Sequence, residues 1–239
     1  MVLQKYTTTI THIETLNDHV KLFKLQFPEG KQFHFIAGQF VILNMIDFEK
    51  KQQRRSYSIA SSPIHSDYIE LCVKILPDGK VSSCLDTLPV GSHVELDGPY
   101  GKFVVDKEQD KELIFIGTGV GIAPLRGMLF DLFEKGHKAP VWLFFGFRYE
   151  NDFLFKEELS ALEEQYHNFH FLPVLSRPGE TAAPDLDTGH VTGIIPLYIK
   201  NPANKIAFIC GSLPMVKDVV VCLEGIGMTK EQIKTDAWG

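Results

Sequence analysis

The sequence has little of what marks several specialised classes of protein. No apolar run reaches the roughly 18 residues that a membrane-spanning helix needs, and uncharged stretches such as Leu113–Leu125 contain Gly and Pro. The amino-terminal segment MVLQKYTTTITHIET lacks the apolar core of a signal peptide. We therefore expect a cytoplasmic protein without a membrane span.

Metal-binding patterns are also missing. The nine histidines form no HxH, HExxH or CxxH array, and the four cysteines have no zinc or iron–sulfur spacing. We expect no metal site and four buried free thiols in a reducing compartment. These cysteines are Cys72, Cys84, Cys210 and Cys222.

Positive charge is in the minority, with 24 Lys and Arg against 30 Asp and Glu and a formal net charge of −6. No basic stripe is present, which argues against a nucleic-acid partner. What the 239 residues do contain is 44% hydrophobic and 11% aromatic residues. This is a globular composition, and the length suits one large domain or two modest ones.

The hydrophobic pattern changes near residue 106. Before that point, short runs rich in Val, Ile, Thr and Phe are separated by turn residues, which predicts an antiparallel barrel or sandwich. The predicted strands are Tyr6–Ile13, Val20–Phe27, Phe40–Met45, Tyr57–Ala60, Ile69–Ile75 and His93–Leu96.

After the polar run 106–112, apolar runs alternate with helical stripes, which is typical of a parallel sheet covered on both faces. The predicted strands are Leu113–Ile116, Val141–Phe145, Phe169–Leu175 and Ile206–Cys210. The predicted helical faces are Leu125, Met128, Leu129, Leu132 and Phe133, with Gly136 as a stop; Phe155, Leu159 and Leu162, capped by Asn151 or Asp152; and Val216, Val219, Val220 and Leu223. Thr229-Lys230-Glu231-Gln232 is a capping-box sequence. We predict an N-terminal antiparallel β-barrel over residues 1–106 and a doubly wound parallel-sheet α/β domain over residues 107–239.

Two sets of residues in the predicted barrel suggest a ligand with a planar ring and phosphates. In Arg55-Ser56-Tyr57-Ser58, Arg55 and Tyr57 share one face of a strand, so a phosphate-binding fork lies beside a stacking ring. Cys72-Val73-Lys74 is followed by Gly79-Lys80-Val81-Ser82, where a glycine turn opens a helix and offers N–H groups to an anion. The alternatives are ordinary strand chemistry and a plain hairpin turn with Ser82 as an N-cap.

Four further sets fall in the second half. Gly117-Thr118-Gly119-Val120-Gly121-Ile122-Ala123-Pro124 joins a strand to a helix; it is neither a G-x-G-x-x-G fingerprint nor a P-loop, but its glycines let a pyrophosphate approach. Cys210-Gly211-Ser212-Leu213-Pro214-Met215 joins a strand to a helix at the same sheet edge. In Ser176-Arg177, an arginine with a hydroxyl neighbour could bind the 2′-phosphate that distinguishes NADPH from NADH. The alternative is an ordinary surface arginine. Asp236-Ala237-Trp238-Gly239 places an aromatic ring that either stacks on a ligand or docks on the core.

In this order and spacing, the motifs resemble those of the ferredoxin–NADP reductase superfamily, the FAD-binding FR-type flavoproteins, over nearly the whole chain. Further motifs that fit are Ala37-Gly38-Gln39-Phe40 and Gly98-Pro99-Tyr100-Gly101. The resemblance implies that the barrel binds FAD and the α/β domain binds NADPH or NADH. It also implies that the flavin lies in a cleft between the two halves.

For FAD, the resemblance implies that Tyr57 stacks on the isoalloxazine, Ser58 bonds near flavin N5 and Arg55 pairs with the pyrophosphate. Ser56 belongs to the same motif. Val73 and Lys74 would line the diphosphate path, with Cys72 in the same cofactor-binding motif. The turn of Gly79, Lys80, Val81 and Ser82 would close over it.

For the nicotinamide dinucleotide, it implies binding by Thr118, Gly119, Val120, Gly121 and Pro124, by Gly211 and Met215, and by Ser176 and Arg177 at the 2′-phosphate. Cys210 would lie near the reactive nicotinamide C4, with Asp236 as the nearby carboxylate and Trp238 covering the flavin. Ser58, Cys210, Asp236 and Trp238 would form the catalytic set. Three departures are Ala37 for the usual Pro, Val120 for Thr, and Gly239 after the aromatic residue.

The expected activity is that of an FAD-dependent NAD(P)H oxidoreductase, which moves a hydride from the nicotinamide to flavin N5. Electrons would then pass to a separate acceptor such as a ferredoxin, a flavodoxin or an oxygenase component. One alternative is a flavin reductase that uses free flavin as a substrate. Another is a non-catalytic nucleotide-sensing protein on the same fold.

Overall fold

A computed structural model describes residues 5–105, 110–179 and 186–238. The chain divides into two compact units. The first comprises Met1–Val104 with Arg126–Asp131, and the second comprises Val105–Leu125 with Leu132–Gly239. The predicted boundary at residue 106 lies outside the described residues and stays a prediction.

The first unit contains a six-stranded antiparallel sheet, as the sequence predicts. Its strands are β1 (Lys5–Asn17), β2 (Val20–Gln26), β3 (Phe40–Ile46), β4 (Gln52–Ser58), β5 (Tyr68–Lys74) and β6 (His93–Tyr100), with a short helix α1 (Ser82–Asp86). They are ordered β4-β3-β6-β1-β2-β5. The chain just after β4 joins the far edge, because Ile59 bridges to Leu71 and the Ala60 N–H donates to the Glu70 carbonyl at 2.8 Å. The sheet thus closes towards a barrel.

Alternation along the strands builds the core of this unit. On β3, Val41 and Leu43 are fully buried, whereas their neighbours face the other side of the sheet. Each fully buried side chain of this size contributes about 1.5 to 3 kcal/mol by leaving water. Strand β4 begins five residues before the predicted Tyr57, since its charged start, typical of an edge strand, hides the β pattern in the sequence.

The second unit contains a parallel sheet, again as predicted. Its strands are β7 (Glu112–Thr118), β8 (Val141–Phe147), β9 (Phe169–Leu175), β10 (Asp187–Thr188), β11 (Lys205–Ser212) and β12 (Ile233–Trp238), in the order β10-β9-β8-β7-β11-β12. The helices are α2 (Ile122–Glu134), α3 (Lys156–Gln165), α4 (Val191–Tyr198) and α5 (Leu213–Gly225). The strand order reverses at β7, so the crevice between the carboxyl ends of β7 and β11 is the expected ligand position of such a sheet.

The predicted details of α2 are confirmed, and two predicted details of α3 are wrong. The apolar face of α2 is buried and Gly136 follows its end with a φ of 76°, while the His137 N–H donates to the Leu132 carbonyl at 3.0 Å. The predicted face of α3 is wrong at Phe155, which precedes the helix in the left-handed region with a φ of 56°. Asn151 and Asp152 belong to a separate 3₁₀ turn, Glu150–Asp152, and do not cap α3.

The capping box at Thr229 is confirmed, since the Thr229 N–H donates to Gln232 Oε1 at 2.9 Å, but it caps a single 3₁₀ turn, Lys230–Gln232. In the parts of the chain that the structure describes, no helix is both long and apolar enough to cross a bilayer. Across the same residues, no three His, Cys, Asp or Glu side chains cluster as metal ligands would.

Candidate functional site

Strand β4 places a ring and a cation side by side in the first unit. Tyr57 pairs with Val41 and Arg55 with Leu43, so the two share one face of the strand, as the sequence predicts, and it is the face of the buried Val41 and Leu43. Tyr57 packs against the apolar core and is half-buried, whereas Arg55 is exposed. Burial raises the pKa of Tyr57 to about 12, and the nearby charge of Arg55 opposes that shift. The pair therefore offers a stacking surface next to a phosphate-binding group.

The other two residues of this motif face the opposite side of the sheet. Ser58 pairs with Phe40 and is half-buried, and Ser56 pairs with Ile42 and is exposed. The Arg55 guanidinium donates to the Arg54 carbonyl at 2.8 Å, which anchors it to its own strand. Ser58 therefore lies on the opposite face of β4 from Arg55 and Tyr57.

The glycine turn between β5 and α1 is held by serine hydroxyls. The Ser82 hydroxyl accepts the Leu76 N–H at 3.2 Å, and the Ser83 hydroxyl donates to the Gly79 carbonyl. A Cβ on Gly79 would lie 2.2 Å from Ser82 Oγ, so a side chain there would displace the hydroxyl that accepts the Leu76 N–H. The N-cap of α1 is Val81, without a side-chain cap, so the alternative that made Ser82 an N-cap is wrong.

The remaining side chains around this turn divide into buried and exposed sets. Cys72, Val73 and Val81 are buried, and burial raises the pKa of the Cys72 thiol to about 12 against the opposing charge of Arg126. Lys74 and Lys80 are exposed. A ligand here would meet ammonium groups and backbone, not the three buried side chains.

In the second unit, glycines bring the ends of β7 and β11 together at the switch point. Gly121 belongs to a 3₁₀ turn, Gly119–Gly121, and a Cβ on it would lie 2.2 Å from the Cys210 carbonyl oxygen. A Cβ on Gly211 would lie 2.3 Å from Met215 Cε and 2.7 Å from Thr118 Oγ1. The two predicted loops are therefore in direct contact. Val120 is half-buried beside them, and Pro124 lies buried in the first turn of α2.

Strand β12 adds the carboxyl-terminal residues to this edge. Asp236 pairs with Cys210 and Trp238 with Ser212, so Trp238 is held in the sheet and is 38% exposed. Burial raises the pKa of the Cys210 thiol, and the negative charge of Asp236 raises it further. Burial also raises the pKa of Asp236, against the opposing hydrogen bond from the Ala237 N–H. Cys210 therefore stays a neutral thiol at pH 7, and because it is fully buried a ligand at this edge would meet its backbone and not its sulfur.

The ends of β8 and β9 bring together a basic and aromatic set. The Ser176 N–H and hydroxyl both donate to the Phe147 carbonyl, at 2.9 and 3.1 Å, and the Arg177 N–H donates to the Arg148 carbonyl at 3.0 Å. The Arg177 guanidinium donates to the Tyr149 hydroxyl at 3.2 Å. Arg148 and Tyr149 were missed by sequence reasoning, although their position directly after a buried strand could have identified them.

Comparison with known proteins matches both units. The model of the oxidoreductase FAD-binding domain matches residues 7–105, and that of the oxidoreductase NAD-binding domain matches residues 115–220. The reductase component of propane 2-monooxygenase is 30% identical over 237 residues in Gordonia sp. strain TY-5, covering 98% of this chain and 68% of that protein. The Mycolicibacterium goodii protein of the same name is 28% identical, covering 99% and 68%. The chain thus spans about two thirds of the length of these relatives.

The fold also matches solved structures. A ferredoxin NADP⁺ reductase from Neisseria gonorrhoeae, solved with bound FAD and NADP, superimposes with a TM-score of 0.83. It is 24% identical, and the match covers 98% of each chain. At this identity the likeness concerns the fold.

Proposed function

Because the chain belongs to the ferredoxin–NADP reductase superfamily and is an NAD(P)H-dependent flavoprotein reductase, we propose that it takes electrons from NADPH and supplies them to a separate oxygenase component. The observation that carries the proposal is that Tyr57 and Arg55 lie next to each other on one face of β4. The electron acceptor is inferred from the relatives, whose names describe reductase components of monooxygenases.

The residues of the first unit fit FAD. The Tyr57 ring offers an apolar stacking surface, and the exposed cations Arg55, Lys74 and Lys80 match a diphosphate in charge. We assign the isoalloxazine to Tyr57 and the diphosphate to Arg55 and to the turn at Gly79. When bound, FAD supplies the chemistry that side chains lack, accepting a hydride and releasing electrons.

The switch point of the second unit fits a nicotinamide dinucleotide. Glycines at 119, 121 and 211 keep side chains away from the loop, so a pyrophosphate can approach backbone N–H groups. Cys210 is buried and uncharged, so we assign the nicotinamide to the backbone at this strand end, with Asp236 beside it. These residues orient the donor and exclude water, which is the protein's share of a hydride transfer.

We assign the preference for NADPH to Arg177 and Arg148. Backbone bonding places the two arginines next to each other at the edge where the adenosine end of the dinucleotide is expected. A dianionic 2′-phosphate is well matched by arginine forks, whereas the ribose hydroxyl of NADH has no charge for them to bind. The Tyr149 ring beside Arg177 offers a stacking surface for adenine.

An acceptor assay tests the proposal. The purified protein is mixed with NADPH or NADH, and reduction of an oxygenase component, a ferredoxin, a flavodoxin and free flavin is measured for each donor. We expect protein-bound FAD, faster oxidation of NADPH than of NADH, and fastest transfer to the oxygenase component. Flavin that leaves the protein in gel filtration, with free flavin as the best acceptor, would favour a flavin reductase instead.

A further inference from the structure

The turn between β3 and β4 presents a large aromatic side chain to solvent. Phe48 is 68% exposed and its neighbour Ile46 is 60% exposed. Both lie at the end of the two strands, next to the five-residue segment 47–51 that joins them. An exposed aromatic ring on an ordered turn offers a stacking surface for a planar ligand.

A buried carboxylate holds that turn in one shape. Asp47 is 6% exposed and accepts three hydrogen bonds, from the N–H groups of Lys51 at 2.8 Å and Glu49 at 2.9 Å and from Gln53 Nε2 at 2.7 Å. The Asp47 N–H also donates to the Lys51 carbonyl at 2.9 Å. The backbone on both sides of Phe48 is therefore fixed, so a ligand that stacks there meets a preorganised surface.

The spacing of residues along β4 relates the position assigned to the flavin ring to this turn. Side chains two residues apart on one face of a strand are about 7 Å apart. The isoalloxazine is assigned to Tyr57 and the diphosphate to Arg55, so the direction from ring to diphosphate runs backwards along β4. Continuing in that direction, the strand begins at Gln52, directly after the turn that carries Phe48. The adenosine half of FAD, which follows the diphosphate, would then lie beside the turn.

The charge distribution supports the same placement. The pKa of Asp47 is lowered chiefly by the hydrogen bond from Lys51, and the positive charge of Lys80 contributes to the lowering. Lys80 is therefore within electrostatic reach of the turn. Because Lys80 belongs to the glycine turn assigned to the diphosphate, the position assigned to the diphosphate is also close to the turn that carries Phe48.

We propose that Phe48 stacks on the adenine ring of FAD and makes the protein select FAD over FMN. The inference rests on the proposed function, since it uses the positions assigned to the flavin ring and the diphosphate. FMN lacks the adenosine, so the contact contributes to FAD binding alone. Stacking of a base on an aromatic side chain changes affinity roughly 5- to 150-fold on removal of the ring.

Flavin titration of the apoprotein tests this role. Flavin is removed from the wild type and from three variants: Phe48→Ala, Phe48→Trp and Val221→Ala. Each is titrated separately with FAD and FMN while flavin fluorescence is followed. Val221 lies on α5 in the second unit and is also 68% exposed, so its variant controls for loss of exposed apolar surface. We expect Phe48→Ala to raise the Kd for FAD roughly 5- to 150-fold and to leave the Kd for FMN within about twofold. We also expect Phe48→Trp to bind FAD as the wild type does.

Several results would overturn the role of Phe48. An equal loss of FAD and FMN affinity in Phe48→Ala would mean that the side chain only supports the fold of the turn. Unchanged affinity for both flavins, or a wild type that binds FMN as tightly as FAD, would exclude an adenine contact. A wild type that binds neither flavin would instead contradict the proposed function, so the two failures are distinguishable.

Discussion

Substitution of Gly121 by alanine is expected to damage the dinucleotide site through a defined clash. The added Cβ would lie 2.2 Å from the Cys210 carbonyl oxygen, 2.7 Å from the Cys210 carbonyl carbon and 3.0 Å from Gly211 Cα. All three are backbone atoms of β11, an interior strand of the sheet, so no side-chain rotation relieves the contact.

The size of the effect follows from that distance. Non-bonded heavy atoms approach to about 3.5 Å, so the loop after β7 and the end of β11 must separate by about 1 Å. Overpacking of this kind costs about 1 to 3 kcal/mol, and the backbone location favours the upper end. For a chain of this length, about 3 kcal/mol corresponds to a fall in Tm of roughly 6 to 12 °C. A displacement of about 1 Å at the hydride donor slows the chemical step by roughly 100-fold.

Two measurements check this prediction. Stopped-flow reduction of the bound flavin by NADPH gives the rate, and thermal unfolding gives the Tm. Gly136→Asn is the matched control, because Gly136 has a φ of 76° and open space at its Cβ position, and Asn tolerates this conformation. The control should keep the wild-type rate. A Gly121→Ala protein with wild-type rate and Tm would refute the close packing of the two loops.

Three other substitutions give separate expectations. As pH rises from about 10 to 12, the wild type should lose about 2 to 3 kcal/mol of unfolding free energy that Tyr57→Phe does not lose. The reason is that burial favours the neutral phenol of Tyr57, so the unfolded chain ionises at a lower pH than the folded one. Parallel pH profiles of the two proteins in chemical denaturation would contradict this. Arg177→Ala should raise the KM for NADPH at least roughly 10-fold and leave the KM for NADH nearly unchanged. The reason is the loss of one charge-assisted hydrogen bond to the 2′-phosphate, which NADH lacks. An equal effect on both donors in steady-state kinetics would refute the 2′-phosphate assignment. Glu70→Ala should lower the free energy of unfolding by about 3 kcal/mol, because the buried Arg126 guanidinium loses its half-buried carboxylate partner 2.7 Å away. A stability equal to the wild type in urea would show that the pair is not needed.

The sequence predicts strands well where burial dictates the residues. The runs that became β7, β8, β9 and β11 are apolar because both faces of a parallel sheet are covered, and all four were located. Strand β12 was missed because an edge position tolerates the polar sequence Ile233–Trp238. Helix α4 was missed because it is short and contains Pro196.

The residues of the candidate site also divide into those that the sequence predicts and those that it does not. Glycines at 79, 121 and 211 could be identified from sequence, and at Gly121 the close backbone of β11 leaves no room for a side chain. The role of Ser82 as an acceptor for the Leu76 N–H depends on how the turn folds back, which local sequence does not encode. Arg148 and Phe48 lie in surface loops, where composition alone does not separate a ligand contact from ordinary solvent exposure.

Anaerobic addition of NADPH to the purified protein tests the central claim most directly. If FAD is held on Tyr57 and Arg55 and accepts hydride from a dinucleotide on the second unit, the protein is yellow and its flavin absorption bleaches with about one equivalent of NADPH. A colourless protein that takes up no FAD, or a flavin band that NADPH and NADH leave unchanged, would contradict it.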